Sequence, residues 1–241
     1  MGMLDKVEVA RRVCPIIFML DTSGSMDGAP IGAVNSAVEG VLPELISMNE
    51  KNPDAEIQIA IMTFDSGIQW ITGNSGTVAP ENYVWNDLDA NGGTSMGAAF
   101  RELNKVLTAK DNGFMKHATG SVAPVLFLLS DGYPTDDYQE GLQKLQSNNW
   151  YKFAVKVAIG YGDADDDILR EFTGNKETVL HTDDPKDLIR MIRFVTVTSS
   201  MVASTGVASQ QNVTPTEAVA TAITEAKENG QLDSDDPDSF D

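Results

Sequence analysis

Cys14 to Ser25 reads Cys-Pro-Ile-Ile-Phe-Met-Leu-Asp-Thr-Ser-Gly-Ser, an apolar run that turns polar in a single step. A short continuous apolar run is what a strand shows when both faces of its sheet are covered. The strand then ends in a carboxylate, Asp21, followed by two serine hydroxyls on either side of Gly24. Such a set suits a hard divalent cation, which takes oxygen ligands in near-octahedral order and keeps several waters. Gly24 lets Ser23 and Ser25 both turn inward. The alternative is a strand-to-helix loop in which Asp21 and the serines merely satisfy backbone N–H groups at a helix start. The choice depends on whether other loops complete the same site.

Two other stretches do. Pro124 to Ser130 (PVLFLLS) is a second uninterrupted apolar strand, and it ends at Asp131-Gly132 as the first ends at Asp21. Parallel sheets place ligands outside the carboxyl ends of their strands, in the crevice where connections diverge to opposite faces. Asp21 and Asp131 can meet there. Asn91 to Gly97 (NGGTSMG) leads into a helix with Phe100, Leu103, Val106 and Leu107 on one stripe. Thr94 then stands at a helix start, where a cap and a ligand are both open to it. The paired glycines before it allow close approach to another loop.

The remaining elements fit a doubly wound α/β domain. Ile31, Val34, Val38, Val41, Leu42 and Leu45 form a 3.6-period stripe, with Gly40 and Pro43 expected to weaken or kink the second half of that helix. Glu56 to Phe64 is a strand, and Asp65-Ser66-Gly67 followed by Ile-Gln-Trp-Ile-Thr makes a hairpin, so the sheet gains an antiparallel edge. Phe153 to Ile159 and Thr178 to His181 are further strands, and helices follow with Ile168, Leu169 and Phe172, then Leu188, Ile189, Ile192 and Val195. The acidic run Asp163 to Asp167 is read as first-turn helix charge rather than metal contact. His117 and His181 lie beside no nucleophile in sequence and are read as ordinary surface or core residues.

With 241 residues the chain can hold one full α/β domain and a tail. The domain is expected over 1–200, a small, polar linker over 201–213, a short helix over 214–230, and an acidic disordered tail over 231–241. Acidic residues outnumber basic ones 36 to 17, for a net charge of -19, which argues against nucleic acid or an anionic membrane as partner. The single cysteine, Cys14, excludes an internal disulfide and suggests a reducing compartment. The N-terminal sequence reads as neither signal peptide nor membrane span, so a soluble cytoplasmic protein is expected.

Asp21-x-Ser23-x-Ser25, then Thr94 behind Gly92-Gly93, then Asp131 after an apolar strand, resembles the von Willebrand factor type A domain over roughly Arg11 to Ser200. The texture (MLDTSGSMDGAPI, GGTSMGAAF, FLLSDGYPTDD) looks closest to its bacterial cytoplasmic branch associated with tellurite resistance. The resemblance implies a Rossmann-like, mostly parallel sheet with one antiparallel edge strand and helices on both faces. It implies a metal-ion-dependent adhesion site in which Ser23 and Ser25 bind Mg²⁺ directly. Thr94 binds it in the ligand-competent state, and Asp21 and Asp131 hold it directly or through waters. Mn²⁺ is the alternative ion. The last coordination position is left for an Asp or Glu of a protein partner, and kinases or phosphatases neighbour the similar bacterial systems. Asp27, Asp65, Asp136 and Asp163 surround the site and would otherwise repel an acidic partner. The acidic tail, Asp233 to Asp241, offers a second source of carboxylate.

A rival reading is a haloacid-dehalogenase-type phosphatase, which also places an Asp after its first strand and uses Mg²⁺. That chemistry needs a second Asp two residues on as acid and base, and here the residue is Ser23. A Gly-rich phosphate loop ending in Lys is also absent from the sequence. A non-enzymatic binding module is the expectation.

Overall fold

The apolar run forms strand β1, Arg12–Asp21, buried along all but its first residue, in a computed structural model that describes residues 10–73, 76–205 and 213–232. Burial on both faces explains why it reads as a continuous run rather than an alternation. β1 pairs in parallel with β2 (Ala55–Phe64) on one side and β4 (Val125–Ser130) on the other. β3 (Ile68–Trp70) turns back along β2 as the antiparallel edge, and β5 (Val155–Tyr161) and β6 (Val179–Thr182) extend the parallel sheet, giving the order β3-β2-β1-β4-β5-β6.

Among the described residues seven α-helices cover the two faces. Cys14, Ile16, Phe18 and Leu20 of β1 point into one apolar layer with α1 (Ala29–Lys51), α6 (Pro185–Thr205) and α7 (Pro215–Glu228). Ile17 and Met19 point into the other, with α2 (Met96–Val106), α3 (Tyr138–Ser147), α4 (Asn149–Phe153) and α5 (Asp166–Thr173). Among the described residues no helix is long and apolar enough to cross a membrane.

Several local expectations change. α1 continues through Pro43, because Val38, Leu42 and Leu45 on either side of it are buried in one layer. Tertiary burial outweighs the lost helical hydrogen bond. α3 and α4 were not legible beforehand. α3 buries only Leu142, Leu145 and Gly141, and α4 has five residues, so neither carries a full period of apolar positions. α6 runs past residue 200 to Thr205, and α7, held by a capping box at Thr214 and Glu217, buries Val219, Ile223 and Ala226 in the same layer as α1 and α6. Residues 206–212 of the expected linker and 233–241 of the expected acidic tail lie outside the described residues.

Candidate metal centre

The strand order reverses direction between β1 and β4, so the connections leaving those two strands diverge and a crevice opens at their carboxyl ends. Leu20 stands level with Leu129, which brings Asp21 beside Ser130 and Asp131. Asp21 is fully buried. Its Oδ1 accepts from the Ser23 backbone N at 2.9 Å and its Oδ2 accepts from Ser130 Oγ at 2.6 Å. The loop after Asp21 therefore folds over its own carboxylate, which fixes where Ser23 and Ser25 fall.

Both serine hydroxyls turn toward Asp131. Ser25 Oγ donates to Asp131 Oδ1 at 2.8 Å, Ser23 Oγ lies 3.5 Å from the same oxygen, and the two hydroxyls are 3.1 Å apart. Thr94 reaches the same place from the α2 side. A Cβ built on Gly132 would stand 3.7 Å from Ser25 Oγ and 3.8 Å from Thr94 Oγ1, so the two hydroxyls open on one small space above that glycine. All five expected residues thus converge at the crevice, and Ser130, not anticipated, orients Asp21 from below. Its signal was a polar residue closing an apolar strand immediately before Asp131.

Thr94 is held by its backbone. The Thr94 N donates to Thr135 Oγ1 at 3.1 Å and the Thr135 N donates back to Thr94 O at 2.9 Å. Gly92 makes the approach of this loop feasible. Its φ is +78° and its O accepts from the Gly24 N at 3.1 Å, while a Cβ there would meet Ser66 Oγ at 2.5 Å. The first N–H groups of α2 are satisfied elsewhere. Asp136 accepts from Gly97 N at 2.7 Å and Ala98 N at 2.8 Å and pairs with Arg101 at 3.2 Å. Capping therefore does not claim the Thr94 hydroxyl, and Asp136 belongs to the helix rather than to the ring of charges around the site.

Electrostatically the crevice is short of positive charge. Burial pushes the Asp21 carboxyl up to about 6, partly offset by the bonds from Ser130 and Ser23, and Asp131 repels it further. Burial also raises Asp131, against the bonds from Ser25 and Ser23, and Asp163 adds repulsion. None of the ion pairs among the described residues includes Asp21 or Asp131. Two buried carboxylates without a basic partner, faced by three hydroxyls, fit a hard cation in charge and in ligand type. Among the described residues no group of three His, Cys, Asp or Glu side chains forms a denser metal cluster.

A doubly wound sheet that gathers oxygen side chains at its switch point defines an α/β module with a polar crevice where such sheets place ligands. The chain belongs to the von Willebrand factor type A domain family, whose pattern matches residues 16–194. No curated protein matches it. Among solved structures, a von Willebrand factor type A protein from Catenulispora acidiphila is 20% identical with a TM-score of 0.57, covering 80% of this chain and 43% of its own. The mussel byssus proximal thread matrix protein 1, in a form with a zinc-occupied MIDAS motif, is 16% identical with a TM-score of 0.57 over 77% of this chain and 47% of its own. The vWF domain of the type V pili tip protein Mfa5 from Porphyromonas gingivalis is 10% identical, TM-score 0.56, over 81% of this chain and 97% of its own. At these identities the likeness is one of fold. The chain spans less than half the length of the first two.

Proposed function

We propose that this chain is a divalent-cation-dependent protein-binding module, with Asp21, Ser23, Ser25, Thr94 and Asp131 holding Mg²⁺ or Mn²⁺. The observation that carries the reading is the convergence of two serine hydroxyls on Asp131 Oδ1, with the Thr94 hydroxyl opening on the same space above Gly132. A divalent ion held there would offer a partner's Asp or Glu a coordination position. Hydroxyl ligands are neutral, so the ion would keep most of its charge for the incoming carboxylate. Asp27, Asp65 and Asp163 around the crevice would disfavour an acidic partner in the ion's absence.

Type A domains are typically interaction modules without catalysis, which agrees with Ser23 standing where a phosphatase would need its acid. By motif texture we assign the chain to a bacterial cytoplasmic stress response resembling tellurite resistance, with kinases or phosphatases among its neighbours. The test is titration of Mn²⁺ into metal-stripped protein, read by electron paramagnetic resonance. One ion per chain is expected, and none in a folded Ser23→Ala, Thr94→Ala variant. Equal binding by both would overturn the site. A partner retained by the wild type in Mg²⁺ and released by EDTA extends the result to function.

A further inference from the structure

At the opposite end of the sheet from the crevice, a cleft of about 460 Å³ opens where the start of β5 meets the ends of α4 and α5 and the start of α7. Lys156 lies in its wall. The residue is 9% exposed and occupies a strand position whose neighbours, Val155 and Val157, are fully buried. A methionine or leucine would fill the position without desolvating a charge. The ammonium has three N–H donors. Two go to the carbonyl oxygens of Tyr151 and Ala154, each at 3.2 Å, and the Tyr151 ring centroid lies 4.9 Å away. Among the described residues no carboxylate pairs with it, in a chain where acidic residues outnumber basic ones 36 to 17.

We propose that this cleft is a second binding site, one that takes a single carboxylate carried on an apolar or aromatic group, with Lys156 as the charge partner. The shape of the cleft argues for that class. Phe153, 70% exposed, and Pro215 present apolar surface at its lip, where exposed aromatic side chains gain most from a partner. Glu171, Glu217 and the exposed Lys152 also line it, and Glu217 is held by the backbone N of Thr214 at 2.7 Å. A buried cation behind a rim of two glutamates and one lysine, acidic by one charge, admits one negative charge more readily than several. Burial lowers the Lys156 ammonium from its ordinary value, and an incoming carboxylate would relieve that.

The experiment is a nuclear magnetic resonance titration of the ¹⁵N-labelled chain with 3-phenylpropionate, without divalent metal, and with 3-phenylpropanamide as the uncharged control. A ligand this small is expected to bind in the millimolar range. The expected result is saturable shifts at Ala154, Lys156 and Gly174 with the acid, at least tenfold weaker binding of the amide, and loss of the acid's shifts in Lys156→Met. Lys156→Arg should retain them, which separates loss of charge from loss of packing. Equal binding of acid and amide, unchanged shifts in Lys156→Met, or no saturable shift at all would each overturn the proposal.

Discussion

The two ends of the sheet hold opposite kinds of buried charge. At the carboxyl end Asp21 and Asp131 are buried together without a basic partner, and each is made harder to ionise by burial. At the amino end of β5 a lone ammonium, Lys156, is buried without a carboxylate. The difference lies in what the backbone can supply. The ammonium rests on two carbonyl oxygens at the end of α4, Tyr151 O, which also accepts from the Ala154 N at 3.2 Å, and Ala154 O, which also accepts from Thr216 Oγ1 at 3.1 Å, and helix C-termini favour cations. The carboxylates receive hydroxyls and one N–H, which satisfy oxygen lone pairs but leave like charges facing each other. One end is satisfied in part by the protein's own dipoles, with two of the three ammonium donors taken by carbonyls. The other has no ion-pair partner for either carboxylate among the described residues, a deficit the proposed cation would make good.

Reversing the charge at the amino end should have the largest effect. Lys156→Glu would set a carboxylate against the Tyr151 and Ala154 carbonyl oxygens in a buried place. A loss of about 4 kcal/mol is expected, in the range for uncompensated buried charge. Urea unfolding would read it, and a loss below about 1 kcal/mol would show that the lysine is not held by those carbonyls.

At the other end, adding cation should stabilise. At a Mg²⁺ concentration about a hundredfold above the dissociation constant, binding to the folded state alone contributes about 2.7 kcal/mol. For a chain this size that is a rise in melting temperature of about 5–10 °C. EDTA should abolish it, Asp131→Ala should remove it, and Lys156→Met should leave it intact. Equal Mg²⁺ response in wild type and Asp131→Ala would break the contrast between the ends.

A smaller effect of opposite sign separates the carboxylate's two roles. Asp21→Asn keeps an oxygen for the Ser23 N, while its amide can donate to Ser130 Oγ, whose hydroxyl lies 3.4 Å from Gly132 O as an alternative acceptor. The metal-free variant should gain about 1 kcal/mol at neutral pH, because a buried charge is removed and its hydrogen bonds are replaced. The same variant should bind Mn²⁺ more weakly. Melting in EDTA beside Mn²⁺ titration checks both, and destabilisation in EDTA would mean that Asp21 serves the fold rather than the cation.

The contrast also explains what could be read beforehand. β1 and β4 were legible because burial on both faces writes a continuous apolar run, and Asp21 and Asp131 because polar residues end those runs abruptly. Thr94 was legible through its glycines. Asp136 was not, since an aspartate that caps a helix from a separate loop is distant from it in sequence. Lys156 escaped for a similar reason. A lysine inside a strand reads as the solvent-facing member of an alternation, and only α4 and α5 packed over it reveal its burial. α7 was found from its capping box, but nothing in its period says that it joins the layer of α1 and α6.

The one histidine near the carboxyl end gives the smallest and most pH-sensitive prediction. His181 of β6 holds the loop after β5 through Nδ1 to Asp166 Oδ1 at 2.7 Å and Nε2 to Gly162 O at 2.8 Å. Both ring nitrogens face acceptors, so the doubly protonated ring fits best. Burial lowers its pKa, but Asp166, the Gly162 carbonyl and Asp183 outweigh that and raise it overall. A group whose folded pKa is raised binds its proton more tightly when folded, so its stabilisation is complete below the unfolded value near 6.5. It fades as pH rises through the higher folded value. Solvent screening at this partly exposed pair limits the effect to about 0.5 kcal/mol. The wild type should therefore lose its small advantage over His181→Gln as pH rises above about 6.5, read as the difference in melting temperature. A difference that grows with pH would show that the neutral ring makes the contact. His181 would then hold the loop beside Asp131 through hydrogen bonding without charge, leaving Arg170 as the cation paired with Asp166.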